Sequence, residues 1–306
     1  MLHTIGKCGC CAVLLIIFVS CNRLDPKSKR PSFKGVEGIK FIEVRREFNT
    51  GYSFSEHGFQ QVPEWKLYFL PGDSVKIYSP FEKRYIFYPI YFDHAQVINF
   101  AREWLRLIHV NKDSLVLQLL KVQSKQVNKE LSTVYMRFYS EGYLNNVLHA
   151  NADSLKKPKL KDTIFIRRLA NRSNKHSKNA DSLFSARKPV VFRSKNPNIT
   201  AFRRSAPKGE PGYKPHLEYL NPEYDVEIKK AYKDFDYNFT VLVDSSGNMT
   251  VGSFAFLEKE FEAPRRRVLQ GILDVYLEKF LDITPGSTLG IPHATEIMLH
   301  LRGIKN

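Results

Sequence analysis

The stretch Phe235-Asp-Tyr-Asn-Phe-Thr-Val-Leu-Val-Asp-Ser-Ser-Gly-Asn-Met-Thr-Val-Gly-Ser-Phe-Ala-Phe256 spells out a β-hairpin. Phe235, Tyr237, Phe239, Val241 and Val243 alternate along one face, as a half-buried strand requires. Asp244-Ser-Ser-Gly-Asn248 supplies the turn, with Gly247 free to take positive φ, and 249–256 runs back out. Glu258, Glu260 and Glu262 lead into Pro264, which suits the first position of a helix. Val268, Leu269, Ile272, Leu273, Tyr276 and Phe280 recur at three- and four-residue steps, which predicts a helix over 264–280 with one buried stripe. Arg265, Arg266 and Arg267 stand near its start, against the helix dipole, unless the preceding acids compensate. A final extended run over 294–301 completes a β-β-α-β order.

Upstream, residues 38–150 read as a β-rich domain. Candidate strands cover 39–45, 65–70, 74–79, 85–91, 97–110 (with a break), 114–122 and 133–139, all rich in Val, Ile, Tyr and Phe. Residues 104–110 and 114–122 flank Asn111-Lys112-Asp113 and form a second hairpin. Many short strands at this spacing predict a mostly antiparallel sandwich or barrel. Their order is similar to lipocalin-like barrels, although no residue motif carries that likeness. Tyr85, Phe87, Tyr88, Tyr91 and Phe92 either line a ligand cavity or fill the core, and Pro89 among them marks an edge or a bend.

The chain has 306 residues and a formal charge of +16, and the excess is local. Residues 151–215 hold 17 Lys and Arg against Asp153, Asp162, Asp181 and Glu210, a net of +13. With short strands expected at 163–166 and 190–192, 151–221 reads as a basic connector. Its cations, interleaved with Phe184, Phe192 and Phe202, imitate a surface for single-stranded nucleic acid. Either they gain about 1 kcal/mol each near anionic lipid or an acidic envelope polymer, the expected partners of 156–214, or they simply keep a connector solvated.

All four cysteines, Cys8, Cys10, Cys11 and Cys21, lie in the first 21 residues, so no disulfide or thiolate site exists in the body. Lys7 precedes an uncharged run over 8–20, shorter than the roughly 20 residues a membrane span needs. Phe18-Val19-Ser20-Cys21 resembles the lipobox of bacterial lipoproteins, with Phe18 where Leu is commoner. That resemblance implies removal of a signal peptide, 1–20, by cleavage between Ser20 and Cys21. It also implies acyl chains on Cys21, whose membrane lipid becomes a partner, because stable anchoring takes more than one chain. Residues 21–37 then form a solvated tether. Its basic start points to the periplasmic face of the outer membrane of a Bacteroidetes-like envelope. The alternative is an uncleaved N-terminal helix. In an exported protein nucleic acid is not an expected partner.

Pro285-Gly-Ser-Thr-Leu-Gly-Ile-Pro292, between the predicted helix and last strand, resembles the Pro-Gly loop of the TonB family C-terminal domain. Pro285, Gly286, Gly290 and Pro292 carry the likeness, with Val241-Leu242-Val243-Asp244 and Gly247 in the first hairpin. It covers about 235–301. An aromatic residue before Pro-Gly is missing, as are the membrane anchor and proline-rich spacer of energy-transducing members, so energy transduction is not implied. What the resemblance implies is a sheet edge that accepts a peptide strand, expected along Ala294, Glu296, Met298 and His300. The whole chain is thus expected to be α+β: a β domain, a basic connector and a TonB-C-like module over 222–306.

The sequence carries no catalytic pattern. The nine histidines show no metal-ligand spacing, and no nucleophile elbow or phosphate-binding glycine pattern occurs. Glu218, Glu223 and Asp225 can be paired on paper as acid and base but read better as surface residues. No cofactor is expected. The expected role is non-catalytic peptide binding or scaffolding at the envelope; the alternatives are lipid or small-molecule carriage by the β domain, and an unrecognised hydrolase.

Overall fold

The chain is mostly β with few helices, and its larger sheet is antiparallel and nearly closed into a barrel. The computed structural model describes residues 30–205, 217–254 and 258–305. The expected signal segment, Ser20, Cys21 and most of the tether lie outside the described residues, as does part of the basic stretch around Lys208 and Lys214.

The barrel strands follow the alternating residues. They are β1 (Lys40–Phe48), β2 (Lys66–Leu70), β3 (Ser74–Ser79), β4 (Arg84–Pro89), β5 (Tyr91–Phe92), β6 (Val97–Phe100), β7 (Glu103–Val110), β8 (Ser114–Gln123), β9 (Gln126–Asn128) and β10 (Val134–Ser140). In space they run β4-β3-β2-β1-β10-β8-β7-β6-β5, with β9 a short flap on β8. Chain neighbours are thus sheet neighbours, and β1 meets β10. The two rims, β4 and β5, are separated in the chain by Ile90 alone, so one bent run nearly seals the ring. Pro89 stands at this bend, where a missing N–H costs little. The expected break within 97–110 is a turn at Ala101-Arg102, with φ of 51° and 66°.

Leu67, Phe69, Val75, Leu105, Leu115, Leu117, Met136 and Phe138 fill the barrel interior. Phe33 stacks on Phe69, ring centroids 3.9 Å apart, and covers one end. The aromatic run divides: Tyr88 and Phe92 pack on this core, whereas Phe87 and Tyr91 are 67% and 63% exposed. It does not form one wall of a cavity.

Strand β1 is buried on both faces. Helices α1 (Glu141–Asn146) and α2 (Ala152–Leu155) cover its outer side through Leu144, Ala152 and Leu155 against Ile42 and Val44. Next comes α3 (Leu160–Lys175), which corrects the strand expected at 163–166. Phe165, Ile166, Leu169, Ala170 and Ser173 recur at helical spacing and are buried, and that burial overrides the β preference of Thr163, Ile164 and Ile166.

The second sheet draws on the chain from the connector onward. Its parts are β11 (Val191–Ser194), β12 (Ile199–Arg203), α4 (Leu217–Leu220), β13 (Glu223–Lys229), β14 (Phe235–Val243), β15 (Met249–Val251), α5 (Lys259–Ile272), β16 (Leu281–Thr284), β17 (Ser287–Thr288), β18 (Ile291–Pro292) and β19 (Thr295–Ile304). The five-stranded order is β12-β13-β19-β14-β15, and β11 pairs separately with β16. The helix starts at Lys259, not at Pro264: Glu258 caps it in an extended conformation, and Glu260 and Glu262 occupy the first turn, where the dipole favours them. A π-helical stretch over 273–278 shifts the buried face onto Leu277, and Val268 is left 45% exposed. Residues Leu269, Ile272, Leu273 and Leu277 pack on the sheet face formed by Tyr224, Val226, Phe239, Val241 and Leu299.

The terminal strand is not an edge. β19 pairs with β13 in parallel and with β14 antiparallel, so its backbone groups are engaged on both sides. Met298 and His300 therefore have no free ladder to offer a peptide, which corrects the expectation there; Glu296 pairs with β14 alone, opposite Leu242, and Ala294 precedes the strand with its N–H and carbonyl bonded to Asn174 and Ser173.

Candidate functional site

A five-stranded sheet has two rims, and here they differ. At β15 the outward backbone groups are already occupied by side chains of the helical segment. Gln270 accepts from the Val251 N–H at 3.0 Å and donates to the Met249 carbonyl at 2.9 Å. Glu278 accepts from the Met249 N–H at 2.7 Å, and Arg266 donates to the Val251 carbonyl. A rim so covered cannot add a strand.

At β12 the situation is reversed. Its pairing with β13 sets Ile199 opposite Ile228 and Arg203 opposite Tyr224. The flanking bonds Lys229 N–H to Asn198 O (2.7 Å) and Arg204 N–H to Glu223 O (2.8 Å) fix the phase. Even-numbered residues of β12 therefore bond inward, and the N–H and C=O of Ala201 and Arg203 face outward. No further strand pairs with this rim among the described residues.

Beside that rim runs a groove of about 530 Å³. One wall is 187–192, the other Ala201, Phe202 and Arg203, and Tyr219 and Tyr224 form its floor with Glu218. The walls are held rigidly. Tyr224 donates its hydroxyl to the Val190 carbonyl at 2.5 Å, and its ring meets Phe192 edge-on at 5.0 Å. Burial pushes the Tyr224 hydroxyl well above the usual tyrosine range, so it remains a donor. Arg187 lies over the Tyr219 ring at 4.4 Å and donates to Gln60 at 2.9 Å.

The Pro-Gly loop supports the same wall. β17 and β18 form a small hairpin whose turn residues, Leu289 and Gly290, both have positive φ, 53° and 78°. Pro292 sits opposite Ser287 in it. Lys188 and Ser287 exchange two backbone bonds, at 2.8 and 2.9 Å, so the hairpin after Pro285 is tied to the groove wall. Gly286 is packed so closely that an added Cβ would come within 2.6 Å of the Ala186 Cβ. Gly286→Ala should therefore destabilise the fold by about 1–3 kcal/mol, measured by urea denaturation; an unchanged midpoint would refute this packing role.

Behind the loop lies a buried relay. The Arg187 N–H donates to Thr288 Oγ1 at 3.1 Å, which lies 3.0 Å from His293 Nε2. His293 Nδ1 is 3.1 Å from the Ala294 carbonyl, which can only accept, so the ring carries its proton on Nδ1. That carbonyl also accepts from the Ser173 hydroxyl at 2.6 Å, and Ala294 N–H donates to Asn174 at 2.8 Å, joining α3 to the loop. Phe184 stacks on His293 at 3.7 Å.

The other sequence candidates fall elsewhere. Glu296 and Met298 line a separate cleft of about 450 Å³ with His57, Pro222 and Thr240. His300 lies between Asn238 (2.7 Å) and Glu223 (3.1 Å). Glu223 and Asp225 are both engaged by Arg204, so these carboxylates form an ion-pair cluster and not an acid–base couple. Among the described residues no group of His, Asp and Glu has the arrangement of a metal site, and no helix is long and apolar enough to cross a membrane. The groove residues Ala201, Arg203, Tyr219 and Tyr224 escape a reading of local pattern. Phe192 and Phe202 stand out in the sequence, but through their likeness to a nucleic-acid surface. No protein-family model and no curated protein matches this chain, so its function has to be read from the groove itself.

Proposed function

We propose that this chain is a lipid-anchored envelope protein that docks an extended segment of a partner along β12, without catalysis. The observation that supports this best is the contrast between the rims, one covered by helix side chains and one open beside a groove. Main-chain hydrogen bonds from Ala201 and Arg203 would provide affinity, and the groove side chains would provide selection. The Pro-Gly loop and the hairpin–helix–strand order support a TonB-C-like reading of the module, with the docking rim at β12 in place of the terminal strand. The Phe18–Cys21 lipobox supports anchoring through acyl chains on Cys21, on the periplasmic face of the outer membrane. The cationic surface of the connector then faces anionic headgroups or polymers, not nucleic acid. The filled barrel interior speaks against the carrier alternative.

The test is a substitution that touches only the outward ladder. Ala201→Pro removes an outward N–H, which an edge strand tolerates, and should abolish capture of the partner from detergent-solubilised envelopes. The denaturation midpoint should stay near wild type. Phe202→Pro removes an inward N–H and should instead destabilise the fold by about 3 kcal/mol. Identical captured proteins for wild type and Ala201→Pro would end the docking proposal. Palmitate incorporation that survives Cys21→Ala would end the anchoring proposal.

A further inference from the structure

Resting on the docking reading, we infer that the β12 groove selects an acidic extended peptide, a short strand in which Asp or Glu alternates with an apolar residue. The size of the groove sets the length. A strand residue occupies about 160 Å³, taking roughly 3.3 Å of rise, 4.8 Å of strand spacing and 10 Å of sheet thickness. The groove of about 530 Å³ therefore holds about three residues, matching the three, Ala201 to Arg203, that line it from β12.

The charge of the lining sets the chemistry. Arg187, Lys188 and Arg203 face one carboxylate, Glu218. None of the three cations forms an ion pair with a carboxylate of the described residues. Arg187 is held by neutral groups, the Gln60 amide and the Tyr219 ring, which orient the guanidinium without neutralising it. The neighbouring Arg204 shows the contrast: it is bound by Asp225 through two bonds of 2.6 and 2.7 Å and has no charge to spare. A rim without a ladder partner and with cations unpaired among the described residues, above an aromatic floor, favours a strand that brings carboxylates and repels a basic strand. The apolar residue of such a strand, on the face opposite the acids, packs toward the exposed Phe202 ring, since Arg203 and Tyr224 are register partners on one face.

Three fluorescent hexapeptides of one alternation test this with the full-length protein in detergent: Thr-Asp-Val-Asp-Val-Thr, and the same peptide with Asn or Lys in place of both Asp. By fluorescence anisotropy at low ionic strength, the Asp peptide should bind at least tenfold tighter than the Asn peptide, with the Lys peptide weakest. Arg203→Gln or added salt should shrink that advantage several-fold, and Ala201→Pro should abolish binding. If the Asp and Asn peptides bind alike and both are lost in Ala201→Pro, charge selection is overturned and edge docking stands. If the Asp peptide binds Ala201→Pro as well as wild type, it is held by the general basic surface and the inference fails. If none of the three peptides binds, the docking reading falls and takes this inference with it.

Discussion

Asp162→Ala should cost about 3 kcal/mol, the lower end of the loss expected when a buried ion pair is broken, because Arg45 keeps Glu47 at 2.9 Å. Arg45 and Asp162 are 3% and 0% exposed. The guanidinium reaches the carboxylate at 2.8 and 3.2 Å, and the Ser53 and Lys159 N–H groups each reach it at 2.8 Å. Asp162 thereby closes the first turn of α3 and clamps that helix to β1, next to the bulge between Glu43 and Arg45. Burial by itself raises the carboxyl pKa, but the Arg45, Ser53 and Lys159 bonds outweigh it and hold the group below the usual aspartate range. The contribution is therefore complete above the unfolded value, about 3.9, and is lost as pH falls through the lower folded value. Urea denaturation at neutral pH measures the effect. Replacing both partners with leucine should recover part of it, because part of the cost lies in a buried arginine left with Glu47 and the Gly51 carbonyl. A loss below about 1 kcal/mol for Asp162→Ala would show that α3 is held by its apolar face alone.

Acid should weaken the protein well before its carboxylates titrate. His293 is fully buried, and desolvation lowers its pKa to about 4 despite the Ala294 carbonyl bond, which acts the other way. A base with a depressed folded pKa contributes its full stability above the unfolded value of about 6.5 and loses it as pH falls. The unfolded chain takes up a proton that the folded ring refuses until about pH 4. The loss is about 2 kcal/mol by pH 5 and about 3 by pH 4. Protonation of the folded ring, near pH 4, would put an N–H of Nε2 against the Thr288 hydroxyl that now donates to it, so the relay behind the Arg187 backbone should change only at that lower pH. Denaturation midpoints at pH 7.5 and 5, for wild type and His293→Phe, separate this group from the other histidines. Parallel slopes for the two proteins would remove His293 as the cause.

Most barrel strands were legible because their side chains alternate and because Pro71-Gly72-Asp73 and Asn111-Lys112-Asp113 mark turns. Where burial came from a distance, legibility failed. Thr163 to Ile166 look like a strand until Phe165, Ile166, Leu169 and Ala170 find a surface to cover. β13 lies outside the predicted strands although Tyr224, Val226 and Ile228 alternate, since Glu223 and Asp225 read as surface carboxylates. Lateral order was the deeper difficulty. The run at 294–301 is recognisable as a strand, which the fold extends to Ile304, but nothing in its residues records that β13 lies parallel beside it. The contrast between the rims was hidden for the same reason, since it depends on Gln270, Arg266 and Glu278 reaching one side of the sheet and on no strand among the described residues pairing with the other.

That asymmetry bears on self-association. A sheet with both flanks bare can stack copy after copy into a fibre. Here Arg266, Gln270 and Glu278 stopper one flank, so ladder-to-ladder contact between molecules can join a pair through β12 and then has nowhere to continue. The three side chains that cover β15 thus also bar this sheet from open-ended polymerisation through that flank.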